Sequence, residues 1–228
     1  MAEQNISGKR VAILATDGVE RIELIEPRKA LNAAGASTTV VSPKSDSIKA
    51  WEHDHWGDDI DVDLPLDEAR ADDFDSLVLP GGVMNSDRLR LDKKAVEFVR
   101  KFFEAGKPVA AICHAQWLLV EAGVVRGKTL TSWPSLETDI RNAGGDWVDR
   151  EVVVDEGLVT SRKPNDLPAF NRKMIEEIGE GIHAGQRASA RSTRFAGTDL
   201  EPRWALSHPE RSEGSAVHLQ IPRFARDD

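Results

Sequence analysis

Over its first 179 residues the chain alternates short β-branched runs with stretches of helical spacing, and that alternation constrains the fold more than any other feature. A strand, a helix and a further strand make a βαβ unit, and repeated units build a mostly parallel sheet with helices on both faces. "RVAILAT" reads as a first strand buried on both sides, since it shows no polar alternation. "ELIEPRKALNAAG" follows as an amphipathic helix closed by Gly35, and "STTVVS" as the second strand. The polar stretch "PKSDSIKAWEHDHWGDDIDVDLPLDEARADDFD" keeps no single period and predicts a small hairpin with surface loops. "SLVLPGG" is a third strand running into a glycine pair, "DKKAVEFVRKFFEAG" a helix ended by Gly106, and "PVAAIC" a fourth strand. "HAQWLLVEAG" predicts a helix starting at or just after the cysteine, and "SLETDIRNAG" another with Ser135 as its N-cap. "REVVVDEGLVTSR" reads as two strands turned at Asp155, Glu156 and Gly157, and "PNDLPAFNRKMIEEIG" as the closing helix.

A chain of 228 residues suits one sizeable domain, or one domain with an appendage. The composition changes after Gly179. Residues 180–228 hold seven arginines, seven acidic residues and no lysine, with no sustained period. We therefore expect an α/β domain over 1–179 and a weakly ordered C-terminal extension over 180–228, with an arm docked on a neighbouring subunit as the alternative. A net charge of -9 repels nucleic acid and anionic membranes alike. No window approaches the roughly 18 apolar residues of a bilayer span, and "MAEQNISGKR" has no apolar segment behind its charges, which predicts a cytoplasmic protein.

The chain has one cysteine, Cys113, with His114 directly after it. A lone thiol forms no internal disulfide, and one adjacent histidine is too few ligands for structural zinc. Free cysteine is often plain core filler. The position argues otherwise: "PVAAI" delivers Cys113 to the carboxyl end of a strand, where open parallel sheets bind ligands. A helix starting there aims unpaired N–H groups at the sulfur, an arrangement that lowers a thiol pKa from about 8.5. A sharp strand-to-helix turn with an exposed nucleophile is an elbow. Gly81 and Gly82 let backbone N–H groups approach a ligand and donate to an oxyanion, a role as open as a simple turn. His114 reaches the sulfur only if the elbow backbone permits, because neighbours in sequence do not face each other on a helix.

"VERIELIEP", "LVLPGG", "DRLRLDKKAVEFVRKFFEAGKPVAAICHA", "AGVVRGKTLTSWPS" and "NAGGDWVDREVVVDEGLVTSRKPNDLPAF" together resemble the PfpI-type family of intracellular cysteine peptidases, general stress proteins and protein deglycases. That family lies within the class I glutamine-amidotransferase-like superfamily, and the resemblance spans roughly residues 9 to 179. It implies a flavodoxin-like three-layer sandwich with a nucleophile elbow. It casts Cys113 as nucleophile, His114 as its histidine, and Glu23 as the acidic residue that bonds the thiol. Asp87 falls where peptidase members carry a glutamate that reaches the histidine from a neighbouring subunit, and aspartate is one methylene shorter. Trp133 replaces the histidine of the deglycase branch and is expected in the pocket wall. His53, His55 and Trp56 belong to a loop expected near the pocket. Three ligand-capable side chains close together there are also compatible with a metal, but we expect a solvated loop, no metal and no cofactor. The implied function is a cysteine-dependent stress-response hydrolase acting on a small carbonyl substrate or peptide, by amide hydrolysis or removal of glyoxal adducts. A redox sensor or holdase using oxidation of Cys113 is the alternative, and a glutamine amidotransferase a further one. The family's site implies a homo-oligomer, a dimer or higher, with the interface near the cysteine, and neither nucleic acid nor membrane as partner.

Overall fold

The computed structural model describes residues 5–183 of the chain, so the expected extension lies, from residue 184 onward, outside the described residues. The elements run β1 (Arg10–Leu14), β2 (Val19–Glu20), α1 (Arg21–Ala33), β3 (Ser37–Ser42), β4 (Ser47–Glu52), β5 (His55–Asp61), β6 (Leu64–Pro65) and β7 (Ser76–Leu79). They continue with α2 (Val83–Leu91), α3 (Lys93–Ala105), β8 (Val109–Ile112), α4 (Gln116–Glu121), β9 (Thr129–Leu130) and α5 (Glu137–Asn142). β10 (Asp146–Trp147), β11 (Val152–Asp155), β12 (Leu158–Ser161) and α6 (Leu167–Glu180) complete the described chain.

The central sheet has the order β11-β12-β8-β7-β1-β3-β6, and each neighbouring pair is parallel except β11 with β12. Alternation along the strands feeds two cores. Val11, Ile13, Val78, Ala110 and Ile112 join the cluster that contains Phe170 and Met174 of α6 and Leu24 and Leu31 of α1. Ala12, Leu14, Leu77, Leu79, Val109 and Ala111 join the cluster of Phe98, Phe102 and Phe103 of α3 and Leu118 and Leu119 of α4. Strands covered on both faces read as continuous apolar runs, which is why the sequence marks them so clearly. This is the flavodoxin-like sandwich that the sequence implies.

Local chemistry fixes the helix that supports β8. Asp92 accepts the backbone N–H groups of Lys94 and Ala95, and Gly106 closes α3 in the left-handed region at φ 69°. Chain order places the site. The chain enters the sheet at its centre, winds outward through β3 and β6, and returns to β7 on the other side of β1. The crevice at such a reversal lies beyond the carboxyl ends of the strands. Residues just after β1, β7 and β8 meet there.

Two sequence readings change, and one helix is added. The helix after the cysteine is short and begins at Gln116, because Cys113, His114 and Ala115 make a turn instead. Ser135 is no N-cap: it sits inside a 3-10 turn, Pro134–Leu136, that runs into α5 without a side-chain cap. The segment around Asp87 is a full helix, α2, which apolar spacing does not reveal because it buries Asn85 and Ser86 beside Leu89.

Candidate active site

Cys113 follows β8 with φ 66°, a left-handed value that an L side chain seldom adopts. Its backbone is held on both sides. The Cys113 N–H donates to the Ser161 carbonyl at 3.0 Å, and its own carbonyl accepts from the Trp133 N–H at 2.9 Å. The last residue of β12 and the segment following β9 thus enforce the strain. Gln116 adds to the clamp, its Nε2 lying 3.2 Å from the Ala111 carbonyl, 2.8 Å from that of Thr131 and 3.1 Å from that of Ser161. The elbow also solves the problem of adjacency, since the Cys113 Sγ lies 3.2 Å from the His114 Nδ1.

The glycine pair after β7 is there because nothing larger fits. A Cβ at Gly81 would come within 2.7 Å of the Cys113 Cβ, and one at Gly82, with φ 91°, within 2.7 Å of the Glu20 backbone nitrogen. Asn85, fully buried, fixes that loop. Its Nδ2 donates to the Pro80 and Gly81 carbonyls at 3.0 Å each, and its Oδ1 accepts from the Thr16 N–H at 2.7 Å. The sequence alone passed over Asn85; a polar residue inside the turn after two glycines is the signal that would have found it.

Gly81 does not serve as an open oxyanion donor. Its N–H donates to the Glu23 Oε2 at 3.0 Å. The backbone donors that reach the sulfur are those of Gly82 and His114. Glu23, in the first turn of α1, has no exposure at all, contacts the Cys113 thiol, and keeps its Oε1 without a hydrogen-bond partner. Burial first, and then the charge of Glu20, push its carboxyl up to about 8, so it is largely protonated at neutral pH.

The expectation of a thiol whose pKa is lowered by a helix is reversed. Burial, followed by the Glu23 charge, pushes the Cys113 thiol up, and the Gly82 and His114 N–H groups pull it the other way. Cys113 and Glu23 therefore titrate as a pair. With Glu23 protonated, its charge no longer opposes ionisation of the sulfur. Burial pulls the His114 imidazole down to about 4, so it is neutral at physiological pH. Its ring stacks on Trp133 at 5.7 Å and 24° and leans on Trp117 at 5.3 Å.

Cys113, 7% exposed, opens onto a pocket of about 590 Å³ lined also by Glu20, Glu23, Trp51, His53, Met84, His114, Trp133 and Pro164. Trp133 is thus in the wall. His55 and Trp56 are not: His55 turns to Asp54 at 2.8 Å on the exposed side of the hairpin, while Trp56 packs edge-on against Trp51 at 5.4 Å. As neighbours on β5 the two side chains leave on opposite faces, neither reaches the pocket, and the wall positions fall to Trp51 and His53. Asp87 stands exposed on α2, and the ionisation of His114 is shifted by burial, with no carboxylate among the described residues acting on it. His53 and His55 belong, among the described residues, to no group of three close ligand-capable side chains. Among the described residues, the one cluster of three ligand-capable side chains is Glu177, Glu180 and His183 at the end of α6, away from this pocket.

A doubly wound α/β sandwich that strains its cysteine into a pocket at the carboxyl edge of the sheet defines a class, the elbow-bearing three-layer proteins. Within that class the chain belongs to the DJ-1/PfpI family, whose model matches residues 9–177. A deglycase of Pyrococcus abyssi is 47% identical over 167 residues, 73% of this chain and 98% of that protein. General stress protein 18 of Bacillus subtilis is 41% identical over 170 residues, 74% of this chain and 96% of its own length. The crystal structure of Drosophila melanogaster DJ-1beta superposes with a TM-score of 0.69 at 30% identity, covering 84% of this chain and 97% of the other. No helix among the described residues is long and apolar enough to cross a membrane.

Proposed function

We propose that the protein is a cysteine-dependent hydrolase of the stress response, acting on small carbonyl adducts or amides, with Cys113 as nucleophile. One observation carries this reading: the sulfur is strained out of β8 into a pocket, with the His114 Nδ1 at 3.2 Å and the N–H groups of Gly82 and His114 beside it. The names of its relatives, a deglycase and a general stress protein, point the same way.

The chemistry follows from the placement. The Cys113 proton passes to the neutral His114 Nδ1, and the sulfur pair bonds to the substrate carbonyl carbon. The carbonyl π pair moves onto oxygen, which the Gly82 and His114 N–H groups hold. Protonated Glu23 is an uncharged neighbour that can donate to the thiolate. Collapse expels the leaving nitrogen with a proton and leaves a thioester, which water then hydrolyses to the acid and the free thiol. With a glyoxal-derived carbonyl the corresponding first species is a hemithioacetal. His114 with a pKa near 4 is a weak base in the single chain. The reading therefore includes a homo-oligomer in which the Asp87 of a second copy approaches His114 and strengthens it.

The test is turnover of methylglyoxal, glycated arginine and a fluorogenic peptide by the wild-type protein and by Cys113→Ala. The variant should lose at least about a thousandfold, the scale of removing a nucleophile. Wild-type rates in the variant would end the hydrolase reading. Light scattering on the same samples reports the assembly, and a strict monomer would remove Asp87 from it.

A further inference from the structure

The hairpin of β4 and β5 turns through His53 and Asp54, with Glu52 facing His55 across it. His53 takes φ 58° there. In two-residue hairpin loops a left-handed first position usually falls to glycine, asparagine or aspartate, because a larger side chain crowds its own backbone. The chain instead holds an imidazole in that slot. Strain of this kind persists only where its surroundings enforce it, and here they do. The His53 carbonyl accepts from the Trp51 Nε1 at 2.9 Å, and Trp51 is braced edge-on by Trp56. The His53 N–H donates to the Glu20 carboxylate, which β2 brings alongside Trp51 by pairing with β4.

The clamp sets the turn at the wall of the pocket that also holds Cys113 and His114. Among the charged groups of the hairpin, His55 is engaged with Asp54, whereas Glu20 shares the pocket wall with His53 and feels its charge. His114 is less free to serve both halves of the reaction. Its Nδ1 faces the sulfur and its ring lies between Trp117 and Trp133, so it cannot follow a group departing towards solvent.

We propose that His53 is the second proton-transfer group of the pocket, with the Glu20 carboxylate as its partner. As the C–N bond of the tetrahedral species breaks, its electron pair stays on nitrogen and the His53 imidazolium gives that nitrogen a proton. Neutral His53 then takes a proton from the water whose oxygen bonds to the thioester carbon, which restores the imidazolium. This role rests on the hydrolase reading, and it makes His53 a catalytic residue that neither the elbow nor the glycine pair reveals.

The experiment is His53→Gly, a change that removes the imidazole while suiting the left-handed backbone. Its thermal midpoint should equal or exceed that of the wild type, so a loss of rate cannot be ascribed to unfolding. With an amide substrate, whose nitrogen must be protonated to leave, kcat/KM should fall about a hundredfold, the usual scale of general acid–base catalysis. With a p-nitrophenyl ester, whose leaving group needs no proton, the fall should stay below about threefold, and added imidazole should restore part of the amide rate. Equal losses on both substrates, or an unchanged amide rate, would overturn the role of His53. The two readings separate cleanly. Turnover that needs Cys113 but ignores His53 defeats only this inference, whereas a wild-type protein without turnover defeats the hydrolase reading and this role with it.

Discussion

Two buried ionisable groups sit at opposite ends of one sheet and are treated in opposite ways. At the amino edge of β12, Lys128 is 2% exposed, and its Nζ meets the Glu156 Oε2 at 3.2 Å and the Asp155 Oδ1 at 3.8 Å. At the carboxyl edge, Glu23 is fully buried with one oxygen unpartnered, and among the described residues no cation pairs with it. The first group holds the fold by compensating a buried charge. The second is left uncompensated, so it takes up a proton, and a proton held beside a thiol is a chemical resource. A matched buried charge marks architecture, and an unmatched one marks the site.

The largest effect that can break this contrast is at Glu23. Its folded pKa of about 8 lies above its unfolded value of 4.5, so between those two pH values the native state binds more protons than the unfolded one. Stability therefore falls as pH rises through that window, by about 1.4 kcal/mol for each pH unit crossed and several kcal/mol in all. Glu23→Gln should abolish this loss, raising stability above pH 8 while depressing turnover. Urea titrations from pH 5 to 9 measure it, and a variant with the wild-type slope would show that Glu23 is not the proton holder.

His114 gives the next largest effect, with the reverse sign. Its folded pKa of about 4 lies below the unfolded 6.5, so its stabilising effect is intact above pH 6.5 and is lost as pH falls towards 4. The loss is roughly 3 kcal/mol, and His114→Phe, which keeps the stack on Trp133, should escape it in acid-unfolding curves.

Lys128→Met should be the smallest and should separate the two ends. Removing one member of a sealed ion pair costs about 3–5 kcal/mol, but Glu156 is 53% exposed and regains water, so we expect about 2 kcal/mol. The urea midpoint should drop while turnover per folded molecule stays unchanged. A matching loss of turnover would mean that the amino edge also serves the site.

The layers of the fold were legible because strands buried on both faces must be apolar throughout. β1, β7 and β8 announce themselves for that reason, as does α3 with its Asp92 cap and Gly106 stop. α2 stayed hidden because it buries Asn85 and Ser86, and a helix that buries polar groups leaves no apolar stripe to read. At the site, Cys113, His114, Glu23 and Trp133 were nameable from the chain. Of the loop expected near the pocket, His53 lines it while His55 and Trp56 do not, because which hairpin residues turn inward depends on packing against a neighbour that the sequence does not specify.

The sequence by itself determined the order of the buried strands and of the helices with an apolar stripe, the lone thiol at a strand end and the glycines that make room beside it, since these follow from local periodicity and from the absence of side chains. Only the tertiary structure decided the protonation of the site. It buried Glu23 against Cys113, gave the Gly81 N–H to Glu23 rather than to an oxyanion, and closed His114 between two indoles. Ionisation depends on solvent exclusion and on groups distant in sequence, and neither exists until the layers have packed.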